Sequence, residues 1–161
     1  MHKAPGQGAP ERFYLGWWPG AYSFAPGRPS LLLVFSFCPG AYFFASPGFV
    51  AFCPFASWQP CEIWLLPAAH AASFETSSTD ELQRLADVLH VLIQRIESLI
   101  PGVAYNLVLN TAPWSGSGKT WNHWRIELLP RLNAFAGLEL ATGIYVNPVA
   151  PERAAGRLRL G

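Results

Sequence analysis

The sequence predicts an α+β fold, an antiparallel sheet with one long helix packed against it. Three patterns carry that expectation. A capped amphipathic period runs from Ser78 to Leu99. Short apolar runs before and after it end at Pro or Gly, as strands do. The stretch from Trp121 to Leu128 alternates, with Trp121, His123, Arg125 and Glu127 on one face and Asn122, Trp124, Ile126 and Leu128 on the other. A strand with one apolar face and one row of ionisable groups serves a core and a site at once.

The elements follow in order. Tyr42–Ala45 and Phe49–Phe52 read as a hairpin turning at Pro47-Gly48, and Glu62–Leu66 as a third strand stopped by Pro67. A loop then carries His70. Ser78-Thr79-Asp80-Glu81 fits a capping box, with Ser78 at the N-cap and Glu81 at N3. Leu82, Leu85, Leu89, Leu92, Ile96 and Leu99 form the stripe of the long helix, Ala86 and Ile93 widen it, and Pro101-Gly102 ends it. Val103–Asn110 reads as a strand, 111–120 as a loop, and the His123 strand ends at Pro130, which cannot donate to a ladder. Gly143–Asn147 reads as a further short strand, and Pro151–Leu160 as a short helix with Pro at N1.

Residues 1–40 have a different grammar. Between Phe13 and Cys61 the only charged side chain is Arg28, and Pro19–Gly27 is loosely repeated at Pro39–Gly48. Two copies do not make a solenoid. The first forty residues are read either as an apolar, poorly ordered segment or as sequence from a shifted reading frame. Residues 41–161 are read as the folded domain.

At 161 residues there is enough chain for one domain with a core. A net charge of +1 gives no electrostatic case for nucleic acid. Charged residues make up only 13 % of the chain and aromatic residues 14 %, with seven Trp, a balance that favours a partner surface. The three cysteines, Cys38, Cys53 and Cys61, contain no Cys-x-x-Cys pair, which points to a reduced, cytoplasmic protein. No signal peptide is read at the N-terminus, and Leu31–Phe37 is too short to span a membrane.

Several groups are candidates for chemistry. His123 and Arg125, two apart on one strand face, suit a phosphate, because Arg offers a fixed fork of donors and His can donate, attack or ligate. The plainer reading is a solvated face with a cross-strand ion pair. His70, in a loop directly after a strand, can reach His123. His90 lies on the helix off the stripe and is read as structural. Ser115–Thr120 ends in Gly-Lys-Thr, yet Pro113 stands where a P-loop needs Gly and a strand follows, so it is read as a flexible loop. Glu139 and Asn147 flank Thr142-Gly143, where they could bond a sugar hydroxyl or merely shape a turn.

Several of these segments, taken together, resemble a known family. They are Phe52-Cys53-Pro54-Phe55-Ala56, Glu62-Ile63-Trp64, Pro67-x-x-His70, Tyr105-Asn106, Thr111-Ala112-Pro113, His123–Leu132, Ala136-Gly137-Leu138-Glu139 and Thr142–Pro148. Their order and spacing over roughly residues 43–160 resemble the C-terminal unit of galactose-1-phosphate uridylyltransferases. The resemblance implies a histidine-triad-like fold, two such units in tandem, and ping-pong uridylyl transfer between hexose 1-phosphates through a histidine. It implies UDP-hexose or hexose 1-phosphate as ligand, and zinc or iron as the family's metal.

The nucleophile of that family lies in a His-Pro-His motif of its N-terminal unit, and this chain contains none, nor the Cys-x-x-Cys that often binds zinc there. In members with a metal in the second unit, His70, His123 and position 125 sit near it. Here position 125 is Arg, which cannot ligate at neutral pH. Glu139 and Asn147 match the part that reaches the substrate, often across a dimer interface, and Arg125 joins them as a substrate contact. Two readings lead. In the first, a split or truncated transferase needs a second subunit or N-terminal half for its nucleophile. In the second, the chain is an inactive gene remnant. A non-catalytic nucleotide-sugar binding module comes next, and a one-unit hydrolase using His123 itself comes last.

Overall fold

The structure, a computed structural model, describes residues 41–114 and 122–160. The expectations for residues 1–40, for the Ser115–Thr120 loop and for Trp121 lie outside that range.

Helix α1 (Thr79–Leu99) starts where its side chains dictate. The Ser78 hydroxyl accepts from Glu81 N, and the Glu81 carboxylate accepts from Ser78 N, so two otherwise unpaired amides are satisfied reciprocally. The buried stripe is Leu85, Val88, Leu92 and Ile96, flanked by the partly buried Leu89, Ile93 and Leu99. It lies slightly rotated from the expected stripe. Val88 is inside, whereas Leu82 is 40 % exposed and Ala86 faces outward. At its C-terminal end, Pro101-Gly102 closes the helix, with Gly102 at φ 73° and its amide bonded to the Glu97 carboxylate.

Five antiparallel strands form one sheet in the order β1 (Tyr42–Ser46), β2 (Phe49–Phe52), β3 (Ile63–Pro67), β5 (Arg125–Pro130), β4 (Tyr105–Asn110). The β1–β2 turn is Pro47-Gly48, with Ser46 opposite Phe49 and Gly48 at φ 90°, the left-handed position a type II turn reserves for glycine. Strand alternation sorts side chains between two faces. Phe49, Ala51, Ile63, Leu65, Ile126 and Leu128 meet the stripe of α1, while Val50, Phe52 and Leu66 cluster with Trp64 on the other face. Trp124, 2 % exposed, plugs the core edge-on against Phe49 and Phe74. Strand β4 is an edge, and its Leu107 and Leu109 remain about half exposed.

After the sheet come α2 (Gly137–Thr142) and α3 (Pro151–Leu160). The latter starts at Pro151, as its sequence predicts, and buries Ala154, Ala155 and Leu158 in the main core. The strand expected at Gly143–Asn147 does not form: residues 143–146 are exposed and outside regular structure, Asn147 is half-buried, and Val146 N bonds the Glu139 carboxylate instead of a ladder. Helix α2 precedes it, ending on Gly143 at φ 69°. The His123 strand begins only at Arg125, and Pro130, its last residue, pairs with Tyr105. Among the described residues, no helix is long and apolar enough to cross a membrane.

Leu92 is fully buried between sheet and helix. Leu92→Ala is expected to cost about 2–5 kcal/mol, because the cavity it leaves adds to the lost transfer energy. Urea unfolding with an unchanged m-value checks it.

Candidate functional site

The site is set by how one loop is pinned to the start of β5. After β3, the main chain turns so that the Ala71 carbonyl accepts from Trp124 N at 2.9 Å and the Ala72 carbonyl from Asn122 Nδ2 at 2.6 Å. These bonds bring His70 and His123 together, with ring centroids 5.3 Å apart and tilted by 69°. His123 is 6 % exposed, and its Nε2 lies 3.0 Å from the Pro67 carbonyl. A carbonyl only accepts, so Nε2 carries the proton in the neutral ring. Burial, then the neighbouring His70 and Arg125, pushes the His123 pKa down to about 4, against the weaker pull of the Pro67 bond. At neutral pH this imidazole is uncharged.

Arg125 and Glu127 share a face of β5, as the alternation requires. The expected solvated face with a cross-strand pair is instead a half-buried, same-strand pair. Arg125 Nε donates to Glu127 Oε1 at 2.8 Å and Nη2 lies 2.7 Å from the same oxygen, with side chains 29 % and 14 % exposed. The guanidinium also sits over the Trp64 ring on β3, 4.2 Å from its centroid.

Three groups that the sequence reading left as plain structure join this site. Trp64 Nε1 donates to Glu62 Oε1 at 2.8 Å, and Glu62 Oε2 accepts from Trp58 N at 2.9 Å. Glu62 is 2 % exposed, and desolvation raises its pKa in spite of those bonds. Trp58 in turn clusters with Phe135 and Tyr145, at centroid distances of 6.2 and 5.0 Å. The only sequence signal for this unit was Glu62 standing at the head of an otherwise apolar strand.

Glu139 and Asn147 hold the segment that lies against Trp58. Glu139 caps α2 by accepting from Ala136 N at 2.7 Å and also accepts from Val146 N at 3.2 Å. Asn147 Nδ2 donates to the Ser57 and Gln59 carbonyls at 3.0 and 3.2 Å, and its Oδ1 accepts from Val149 N. The route from this arm to Arg125 therefore passes through the 57–62 loop, Glu62 and Trp64. His90, read from the sequence as structural, is exposed on α1 with its Nε2 3.0 Å from Gln94 Nε2.

A transition metal does not suit these side chains. Zinc wants three or four nitrogen, sulfur or carboxylate donors in close geometry. Among the described residues, no group of three or more His, Cys, Asp or Glu is placed to supply them. The nearest carboxylate on β5, Glu127, is engaged by Arg125.

Two expectations follow. The unfolded chain binds a proton at His123 near pH 6.5, while the folded chain binds it only near pH 4. Between those values the unfolded state holds more protons, so this group's contribution is full above pH 6.5 and is lost on acidification, by up to about 3 kcal/mol. Glu62 acts oppositely: its folded pKa is raised, so stability falls as pH climbs above its unfolded value of 4.5. Urea midpoints from pH 4 to 8 should lose the acid limb in His123→Gln and the alkaline decline in Glu62→Gln. Separately, Asn147→Ala removes two bonds to main-chain carbonyls and should cost about 1–2 kcal/mol in the same assay.

No protein-family model matches the chain. Among curated proteins it is 33 % identical over 116 residues to ADP-glucose phosphorylase of Arabidopsis thaliana, a match covering 71 % of this chain and 33 % of that protein. It is 29 % identical over 119 residues to galactose-1-phosphate uridylyltransferase of Thermotoga maritima, covering 69 % of this chain and 37 % of that one. The chain thus spans about a third of the length of these relatives. A crystal structure of the Arabidopsis ADP-glucose phosphorylase with bound ADP-glucose superposes with a TM-score of 0.70 at 32 % identity, over 73 % of this chain and 39 % of that one. A zinc-bound histidine triad family protein from Mycobacterium smegmatis shares the fold at 16 % identity, with a TM-score of 0.57 over 80 % of this chain and 88 % of its own. The histidine triad protein is matched over most of its length and the longer phosphorylase over about two fifths. The matched part of this chain is a histidine-triad-like unit of the galactose-1-phosphate uridylyltransferase family.

Proposed function

We propose that this chain is the substrate-contacting unit of a nucleotide-sugar transferase or phosphorylase, working with a nucleophile supplied by another unit or subunit. The observation that carries this reading is its superposition, at 32 % identity, on a phosphorylase with ADP-glucose bound. The ligand class is a nucleoside diphosphate hexose or the matching hexose 1-phosphate. Glu139 and Asn147 are assigned to the sugar. Arg125, whose guanidinium has N–H groups beyond the two spent on Glu127, is assigned to the phosphate side.

The division of labour follows from His123. It is neutral at pH 7, buried, and tied through Nε2 to a main-chain carbonyl. Such a group orients and excludes water well, but it does not present an exposed nitrogen for attack. The chain also has no His-Pro-His. The same two facts favour, as the second reading, a module that binds the sugar nucleotide without turning it over. A cytoplasmic setting is supported by Cys53 and Cys61, which are buried free thiols, with burial pushing the Cys53 thiol far up its scale.

Thermal unfolding with ADP-glucose, UDP-glucose and glucose 1-phosphate tests the proposal. A ligand at about a hundred times its dissociation constant adds roughly 2.7 kcal/mol and moves the midpoint up by several degrees. A cooperative melt raised by at least one nucleotide sugar is the expected result. A melt unmoved by all three at millimolar concentration would sink the reading. Turnover on adding a separate His-Pro-His-bearing unit would separate the transferase from the plain binding module.

A further inference from the structure

We infer that Arg125 is a built-in cation that takes the place of a divalent metal, so that this unit holds its β3–β5 corner together without one. Three observations meet here. The imidazoles of His70 and His123 lie 5.3 Å apart, close enough to begin a ligand set, but the third position on that face is a guanidinium. Glu127, the carboxylate nearest that face on β5, gives its Oε1 to both Nε and Nη2 of Arg125, and among the described residues no three His, Cys, Asp or Glu side chains are placed to hold a metal. The guanidinium is fixed from two directions, by the Trp64 face 4.2 Å away and by the carboxylate at 2.7 Å.

A metal at such a corner would join segments by drawing lone pairs from several of them onto one positive charge. Arg125 does the same with a charge that is part of the chain. It is rooted on β5, rests on a β3 tryptophan, and neutralises the only carboxylate beside it on its own strand. Trp64 is itself held by Glu62, so the cation is anchored at one remove to the buried end of the 57–62 loop. The same fixed positive charge disfavours a further positive charge at His123. The swap therefore supplies the cohesion without the ion it replaces. This holds whether or not a nucleotide sugar is the ligand.

Metal content and metal response test it on the whole chain. The purified protein, dialysed against Zn2+ or Fe2+ and then against buffer, should carry far less than one ion per chain by mass spectrometry. Its melting midpoint should be indifferent to EDTA and to added Zn2+. Arg125→Gln removes the charge without adding a ligand and should melt lower, still without metal. Arg125→His supplies a third imidazole and should take up about one zinc per chain, with a midpoint that rises with Zn2+ and falls with EDTA. Stoichiometric metal in the unaltered chain that disappears in His70→Ala would overturn the inference. So would Arg125→Gln melting at the wild-type temperature, and so would a cooperatively folding Arg125→His that ignores zinc.

Discussion

The buried carboxyl group of Glu62 is the constraint on which the site hangs. It stands at the entrance to β3, almost without solvent, and each oxygen holds one N–H: the main-chain amide of Trp58 and the indole of Trp64. The first bond folds the 57–62 loop back on the sheet, where Asn147 can reach the Ser57 and Gln59 carbonyls. The second sets the plane on which Arg125 rests. A buried polar group is tolerated only when its bonds are made, and here making them aligns two otherwise separate parts of the molecule.

The electrostatics follow from that placement. A carboxyl deprived of water prefers its proton, an imidazole deprived of water prefers to lose its own, and both tendencies reduce charge at the corner. What charge remains is concentrated in the Arg125–Glu127 pair, which is partly reached by solvent and therefore costs less to keep ionised. The arrangement holds two histidines, an arginine and two carboxyl groups within a small volume with little net charge to desolvate.

Much of the fold was legible because the signals were local. The capping box at Ser78 and Glu81, the Pro47-Gly48 turn and the proline opening α3 are decided by residues a few positions apart, and each lies where the sequence placed it. The meeting of His70 with His123 was legible from topology, since one follows a strand and the other precedes its neighbour. The misses have non-local causes. Ile144, Tyr145 and Val146 have strand-like side chains, but among the described residues none pairs with them in a ladder, and the amide of Val146 turns to Glu139. The rotation that buries Val88 and exposes Leu82 depends on where the sheet lies under α1, which helical period alone does not fix. Glu62 showed in the sequence only as a lone carboxylate at the head of an apolar strand, because its role depends on Trp58 and Trp64 as a pair. The resemblance pointed to Glu139 and Asn147, but how thoroughly both are employed in local structure emerges only in the folded chain.

That employment sets the hydrogen-bonding valence of the arm. Asn147 has spent both N–H groups on carbonyls and part of its oxygen on Val149, so all it can still offer is a lone pair. Glu139, ionised, has about two of its four acceptor directions left after Ala136 and Val146. What both residues have left to offer is therefore acceptors alone, in orientations the main chain has already fixed. Such a surface welcomes groups that donate, as the hydroxyls of a hexose do, and turns away a phosphate, which brings only oxygens and negative charge. On the function proposed above, the polarity of the arm would assign it the sugar end of a sugar phosphate and leave the phosphate to other groups.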